Sequence, residues 1–141
     1  MINSFRDEYR FLSNFYPAKV KLDDLMFETV ENAYQAAKCR DRADRLRFQH
    51  ITPGQAKRLG NKVPLRSGWL DVRVDIMRTL IRSKFQHKDL KRALLDTGDQ
   101  KLIEGNAWGD TFWGFYNGEG RNTLGKILME VRQSLREEEI I

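Results

Sequence analysis

The stretch Glu31-Asn32-Ala33-Tyr34-Gln35-Ala36-Ala37-Lys38 constrains this chain more than any other. Val30, Ala33, Tyr34 and Ala37 recur at i, i+3, i+4 and i+7, the spacing of a helix with one apolar face. Glu31, Gln35 and Lys38 repeat that spacing one step round the cylinder, so three polar groups run along the edge of the core-facing stripe. Glu31 and Lys38 are two turns apart, about 10 Å along the axis. That separation suits groups that flank a ligand, not a pair that bond each other. The small alanines admit a close neighbour. The plainer alternative is a surface helix whose Glu, Gln and Lys are there as good helix formers, and the octapeptide by itself favours that alternative.

A chain of 141 residues is expected to form one domain, 1–141, with a single core. Hydrophobic residues at 40 % and charged residues at 32 % describe a soluble globular protein. No apolar run approaches the ~20 residues needed to cross a bilayer. Met1 to Glu8 has no apolar core of a signal peptide, so a cytoplasmic location is expected. Cys39 is the single cysteine, which excludes an internal disulfide and a cysteine metal cluster; it reads as a small buried residue on the inner helix. The net charge of +5 is compatible with a phosphate-bearing ligand or nucleic acid and proves neither. The densest basic run, Lys38 to Arg47, also holds Asp41 and Asp44 and reads as a solvated helix face.

The opening third reads as short strands. Lys19 to Leu22 and Leu25 to Phe27 alternate around Asp23-Asp24, a two-residue hairpin turn. Thr29 caps the helix that follows. Ser13 and Asn14, set among Phe11, Leu12, Phe15 and Tyr16, either satisfy a turn or supply hydrogen bonds in an aromatic-walled pocket. A short helix is expected over Asp44 to Gln49. Thr52-Pro53-Gly54-Gln55 is a capping box with proline at the first helical position, and Gly60 reads as that helix's C-cap. The clearest amphipathic helix runs from Trp69 to about Phe85. Another holds Leu90 to Leu95 and stops at Gly98. Lys101 to Glu104 reads as a strand. An aromatic segment, Trp108 to Tyr116, leads through a glycine-rich loop to a last helix over Thr123 to Arg136, with Glu137 to Ile141 frayed. The fold class expected is α+β, mostly helical with a small antiparallel β element.

Gly120-Arg121-Asn122-Thr123-Leu124-Gly125-Lys126 matches the front of a P-loop, but Ile127 stands where the Mg²⁺-binding Ser or Thr belongs and no strand precedes it. The P-loop is rejected. Gly125 instead permits close helix packing, and the loop could offer backbone N–H groups to a phosphate. His50 and His87 are unaccompanied, so neither zinc nor a histidine-based triad is supported. The acids best placed for chemistry are Glu31 and Asp110. Trp69 and Trp113 are the aromatics best placed to line a site, although a tryptophan is more often core than platform.

Six motifs in order carry a resemblance. They are Phe11-Leu12-Ser13-Asn14-Phe15-Tyr16-Pro17, Val30-Glu31-x-x-Tyr34-Gln35-Ala36-x-Lys38, Ala56-Lys57-x-x-Gly60, Trp69-x-x-x-Arg73-x-x-x-Met77, Asp110-x-x-Trp113-Gly114, and Gly120-x-Asn122-x-Leu124-Gly125-x-x-Leu128-Met129-x-Val131-Arg132. Over nearly its whole length the chain resembles the NADAR (NAD and ADP-ribose) superfamily, the YbiA-like proteins. The resemblance implies a compact, mainly helical α+β domain acting on N-glycosidic bonds. Members hydrolyse riboflavin-pathway intermediates or remove ADP-ribose from guanine bases. Carried over by position, Glu31 is the motif glutamate and first catalytic candidate, with Asp110 and Lys38 beside it. Ser13, Asn14, Phe15, Tyr34, Gln35, Lys57, Trp69, Trp113, Gly114, Asn122 and the Gly118 to Gly120 loop are implied binding positions. Asn32 stands where many members have His, and Tyr116 where many have a second glycine.

Breaking a ribose–nitrogen bond passes through an oxocarbenium-like transition state, which needs a carboxylate and help for the departing nitrogen. Glu31 and Asp110 offer these, with Trp69 and Trp113 gripping the base. No metal or cofactor is demanded. The implied partner is a nucleotide-like small molecule or ADP-ribosylated nucleic acid, with no membrane and no obligate protein partner. Two rivals stand beside the N-glycosidase: a non-catalytic ADP-ribose-binding module, and a basic nucleic-acid-binding domain, for which no helix-turn-helix or RNP signature is present.

Overall fold

The computed structural model describes residues 1–140. The fold is α+β and mostly helical, with one two-stranded antiparallel sheet. The chain divides into two units, Asn14–Lys84 and the combination of Met1–Ser13 with the residues from Phe85 onward.

The Asn14–Lys84 unit opens with β1, Val20–Leu22, and β2, Leu25–Phe27. Val20 faces Phe27 and Leu22 faces Leu25, so Asp23-Asp24 is the turn, with Asp23 left-handed at φ 53°. Four helices follow: α1, Val30–Ala37; α2, Arg42–Leu46; α3, Pro53–Gly60; and α4, Trp69–Lys84. The start of α1 is dictated locally, because the Thr29 hydroxyl accepts the N–H of Asn32 at 3.0 Å. What the apolar stripe does not foretell is that α1 is packed by β1, β2, α2, α3 and α4 together. All eight of its residues are buried, Glu31, Asn32 and Gln35 included. The surface-helix alternative is therefore wrong for this octapeptide.

A polar group buried without partners is costly, and Asn32 shows how α1 meets that demand. Its side-chain amide donates to the carbonyls of Phe48 (2.8 Å) and Ile51 (2.9 Å), and its Oδ1 accepts from the Thr29 hydroxyl at 2.6 Å. Asn32 is thus a fully buried clamp between α1 and the segment after α2. The α3 capping box forms as expected, with Thr52 and Gln55 bonded reciprocally at 2.9 and 3.1 Å. Gly60, expected as its C-cap, is instead the last helical residue, and Asn61 caps in the right-handed conformation.

The other unit holds a 3-10 helix, Asp7–Leu12, then α5, Lys88–Asp96, and α6, Thr123–Ile140. The 3-10 helix corrects the expectation of strands at the start of the chain. Lys101 to Glu104 is likewise no strand: it makes a single parallel bridge, Ile2 to Leu102, through Ile2 N–H to Lys101 O (2.9 Å) and Ile103 N–H to Ile2 O (2.8 Å). Gly98 ends α5 as expected, left-handed at φ 63° just past the Thr97 cap. α6 packs on α5 and continues through the residues expected to fray. Arg92 pairs with Glu139 at 2.9 Å and Arg136 with Asp99 at 3.1 Å, holding its last turns; Ile141 lies outside the described residues.

Candidate active site

Burial brings the polar edge of α1 inside the Asn14–Lys84 unit. Glu31, in the first helical turn, is 8 % exposed, and Gln35 one turn on is 4 % exposed. Gln35 Nε2 donates to Glu31 Oε2 at 2.7 Å, so the amide orients the carboxylate. The backbone N–H of Glu31 donates to the Asn14 carbonyl at 3.0 Å, which ties the aromatic-flanked turn at Ser13-Asn14 to the start of the helix. The Asn14 side chain reaches Met77 Sδ at 3.6 Å, at the limit of a weak sulfur contact. Phe15 beside it is exposed.

Lys38 caps α1 half-buried, with Nζ 3.4 Å from the Gly60 carbonyl and 5.9 Å from the centre of the Tyr34 ring. Burial lowers its pKa below the ordinary lysine value; Glu31 and Cys39 push back upward, and Lys57 lowers it further. Glu31 and Lys38 thus feel each other's charge without an ion pair between them, as their two-turn separation implies. Tyr34 packs against Trp69 with ring centroids 5.3 Å apart. Trp69 is 5 % exposed, so most of its area is core and its ring forms a wall behind Tyr34.

Gly60 explains how close α3 comes. A Cβ at residue 60 would overlap the side-chain amide of Gln35, so glycine lets the end of α3 lie against that part of α1 with the amide in its present place. Gln35 Oε1 faces this contact and makes no hydrogen bond among the described residues. A helix-ending glycine carries the same local signal whether it caps the helix or admits a close neighbour, so the sequence alone does not separate the two.

The remaining expected residues belong to the other unit. There Asp110 Oδ1 accepts the N–H groups of Phe112 (3.0 Å) and Trp113 (2.9 Å), closing the turn that carries Trp113 and Gly114. Its Oδ2 is left without a hydrogen bond among the described residues. Asn106, which sequence reasoning passed over, holds the same turn: Nδ2 donates to Asp110 O (2.9 Å) and Oδ1 accepts Asp110 N–H (3.0 Å). Trp113 is half-buried, edge-on to Phe112 at 4.8 Å.

Asn122, expected to bind ligand, spends its side chain on the backbone. It is 7 % exposed, donates to Leu102 O at 2.9 Å and accepts Glu104 N–H at 2.9 Å. The N–H groups of residues 121–124 all go to carbonyls: Arg121 to Thr111, Asn122 to Gly114, Thr123 to Phe112 and Leu124 to Trp113. Those four N–H groups at the start of α6 are therefore already committed within the fold. Gly125 lies where a Cβ would strike the Leu102 carbonyl, the close packing foreseen for it.

Comparison with known proteins converges on one family. The NADAR domain model matches residues 2–136. The chain is 38 % identical over 137 residues to the N-glycosidase YbiA of Shigella boydii, covering 94 % of this chain and 85 % of that protein. It is 40 % identical over 136 residues to an N-glycosidase of Nostoc punctiforme, covering 91 % and 86 %. A riboflavin biosynthesis protein of Vibrio vulnificus is 39 % identical over 136 residues, 93 % of this chain but 37 % of that longer protein. The NMR structure of YbiA from E. coli superposes with a TM-score of 0.85 at 34 % identity, covering 99 % of this chain and 89 % of that one. On sequence and fold together, the chain belongs to the NADAR domain family.

Proposed function

We propose that this chain is an N-glycosidase, a hydrolase that breaks the bond between a ribose anomeric carbon and a base nitrogen in a nucleotide-like riboside. The observation that carries the reading is Glu31: a carboxylate buried in the first turn of α1, oriented by Gln35 at 2.7 Å and within the field of the Lys38 ammonium. Burying a carboxylate carries a desolvation cost that an exposed helix former would not incur. The two N-glycosidases and the riboflavin biosynthesis protein among its relatives support the same reading.

In this hydrolysis a water oxygen bonds to the anomeric carbon as the carbon–nitrogen bond breaks, and its electron pair leaves with the base. Positive charge develops at the anomeric carbon and ring oxygen. Glu31 stabilises that charge and takes the proton of the attacking water. The departing nitrogen takes up a proton. Lys38, made more acidic by burial, is a donor for it, and Asp110 is the second acid that the family pattern assigns to the reaction. The lowered pKa also favours a second reading, in which the free amine of Lys38 attacks the anomeric carbon. Borohydride trapping of a ribose adduct on Lys38 distinguishes the two.

The riboside is proposed to be ADP-ribosylated guanine or an intermediate of riboflavin biosynthesis. Mass spectrometry after incubation with a panel of such ribosides tests the activity, and Glu31→Gln tests the mechanism. The variant keeps size and helix propensity but loses the charge. Turnover should fall by roughly 10²-fold or more, with substrate binding and melting temperature little changed. Near wild-type hydrolysis by Glu31→Gln would remove it from the chemistry. Binding without release of any ribose fragment by the wild type would favour the non-catalytic ADP-ribose-binding module.

A further inference from the structure

The basic run Lys38 to Arg47 is largely exposed, as its composition suggests, but its surface is concave. With residues 63–67 it walls a cleft of about 620 Å³, within the range of small-molecule sites. Four arginines line it, Arg40, Arg45, Arg47 and Arg66, against two carboxylates, Asp41 and Asp44, a surplus of two positive charges. Arg45 is committed: it pairs with Asp23 at 2.6 Å and donates to the Cys39 carbonyl at 2.9 Å. The guanidiniums of Arg40, Arg47 and Arg66 make no hydrogen bond or ion pair among the described residues. Asp41 and Asp44 share the cleft, yet they form no ion pair with any of them. Three guanidiniums from two chain segments are therefore available to an external anion. Their planar forks match phosphate oxygens.

The position of the cleft is equally specific. Arg66 donates its backbone N–H to the Lys38 carbonyl at 2.8 Å, and its own carbonyl accepts from Trp69 N–H at 3.3 Å. The cleft thus adjoins the Glu31–Lys38 site through the backbone of one of its own arginines. One phosphate would fill only a fraction of the volume, so the space suits two successive phosphate groups.

We propose that this cleft binds phosphate groups of the substrate, with Arg40, Arg47 and Arg66 holding the oxyanions while the ribose–nitrogen bond lies at Glu31. The placement of the riboside rests on the N-glycosidase reading; the capture of phosphate does not.

The test is a ¹H–¹⁵N NMR titration of the whole chain with inorganic pyrophosphate and, separately, with a single-stranded DNA 10-mer. Shifts should concentrate at residues 39–47 and 63–67. Arg40→Gln combined with Arg47→Gln, two exposed positions, should weaken pyrophosphate binding at least 10-fold with melting temperature unchanged. Arg66→Lys, which keeps the charge but loses the fork, should weaken it less. Pyrophosphate affinity within twofold of wild type in the double variant, or shifts centred elsewhere, overturns the proposal. Both sources of phosphate support the cleft and are told apart by affinity. Binding of the 10-mer at least 10-fold tighter than pyrophosphate identifies a nucleic-acid backbone, and comparable or weaker binding a free nucleotide. Pyrophosphate bound in the cleft of a protein that hydrolyses no riboside would sink the enzyme reading and leave the cleft. Hydrolysis accompanied by pyrophosphate binding elsewhere would do the reverse.

Discussion

Lys38 is where the electrostatics of the site can be measured on one residue. Burial is the largest cause of its lowered pKa, and the Glu31 charge opposes it. The folded chain therefore holds fewer protons at Lys38 than the unfolded chain does, in the window between the lowered value and the ordinary 10.5. Across that window this residue's contribution makes stability rise with pH; below it the charged, half-buried ammonium is a standing cost. Amine-selective labelling followed by peptide mass spectrometry across pH should give Lys38 a midpoint below the ordinary lysine value of 10.5. In Glu31→Gln the midpoint should fall further, because the opposing carboxylate charge is gone. A midpoint at the ordinary 10.5, or one unmoved by Glu31→Gln, would contradict the geometry described.

At the scale of elements, the approach of α3 to α1 sets where Gln35 sits, and Gly60 is its hinge of tolerance. Judged by helix propensity alone, Gly60→Ala should stabilise the last turn of α3 by about 0.5–1 kcal/mol. Because the added methyl would overlap the Gln35 amide, the expected result has the opposite sign. Overpacking of this kind costs about 1–3 kcal/mol, and displacing Gln35 releases the Glu31 carboxylate from its 2.7 Å bond. Chemical denaturation should show the loss of stability, and steady-state kinetics a larger fall in kcat than change in KM. A variant that is more stable and fully active would show that Gln35 moves aside freely and does not orient Glu31. The α1 start, the α3 capping box and the glycine stop after α5 were legible because each is a bond between residues within four positions of one another. The crowding around Gln35 was not, since Gly60 lies twenty-five residues further along.

At the scale of the whole molecule, the +5 charge is spread along the chain and becomes informative only where folding gathers it, as at the arginine-lined cleft. No helix among the described residues is long and apolar enough to cross a membrane. Nor do three His, Cys, Asp or Glu side chains among the described residues come together in an arrangement that could hold a metal ion. Turnover should accordingly be unchanged after dialysis against EDTA. Loss of activity that Mg²⁺ or Zn²⁺ restores would require a metal step that these residues do not explain.

By itself the sequence determined the starts of α1, α3, α4 and α6, the hairpin register, the α+β class and the family, because periodicity, caps and ordered motifs are properties of neighbouring residues. It also singled out Glu31, Gln35 and Lys38 as one polar edge. Tertiary structure alone decided that this edge is interior, since only packing from five elements buries every face of α1. It decided that Ile2 pairs with Leu102 and that Asn122 is spent on the Leu102 and Glu104 backbone. It also set the solvated run Lys38 to Arg47 against residues 63–67, so that together they line a cleft with three uncommitted guanidiniums. The physical reason is the same in each case. Desolvation and hydrogen-bond satisfaction depend on which groups meet across the fold, and no local pattern records those meetings.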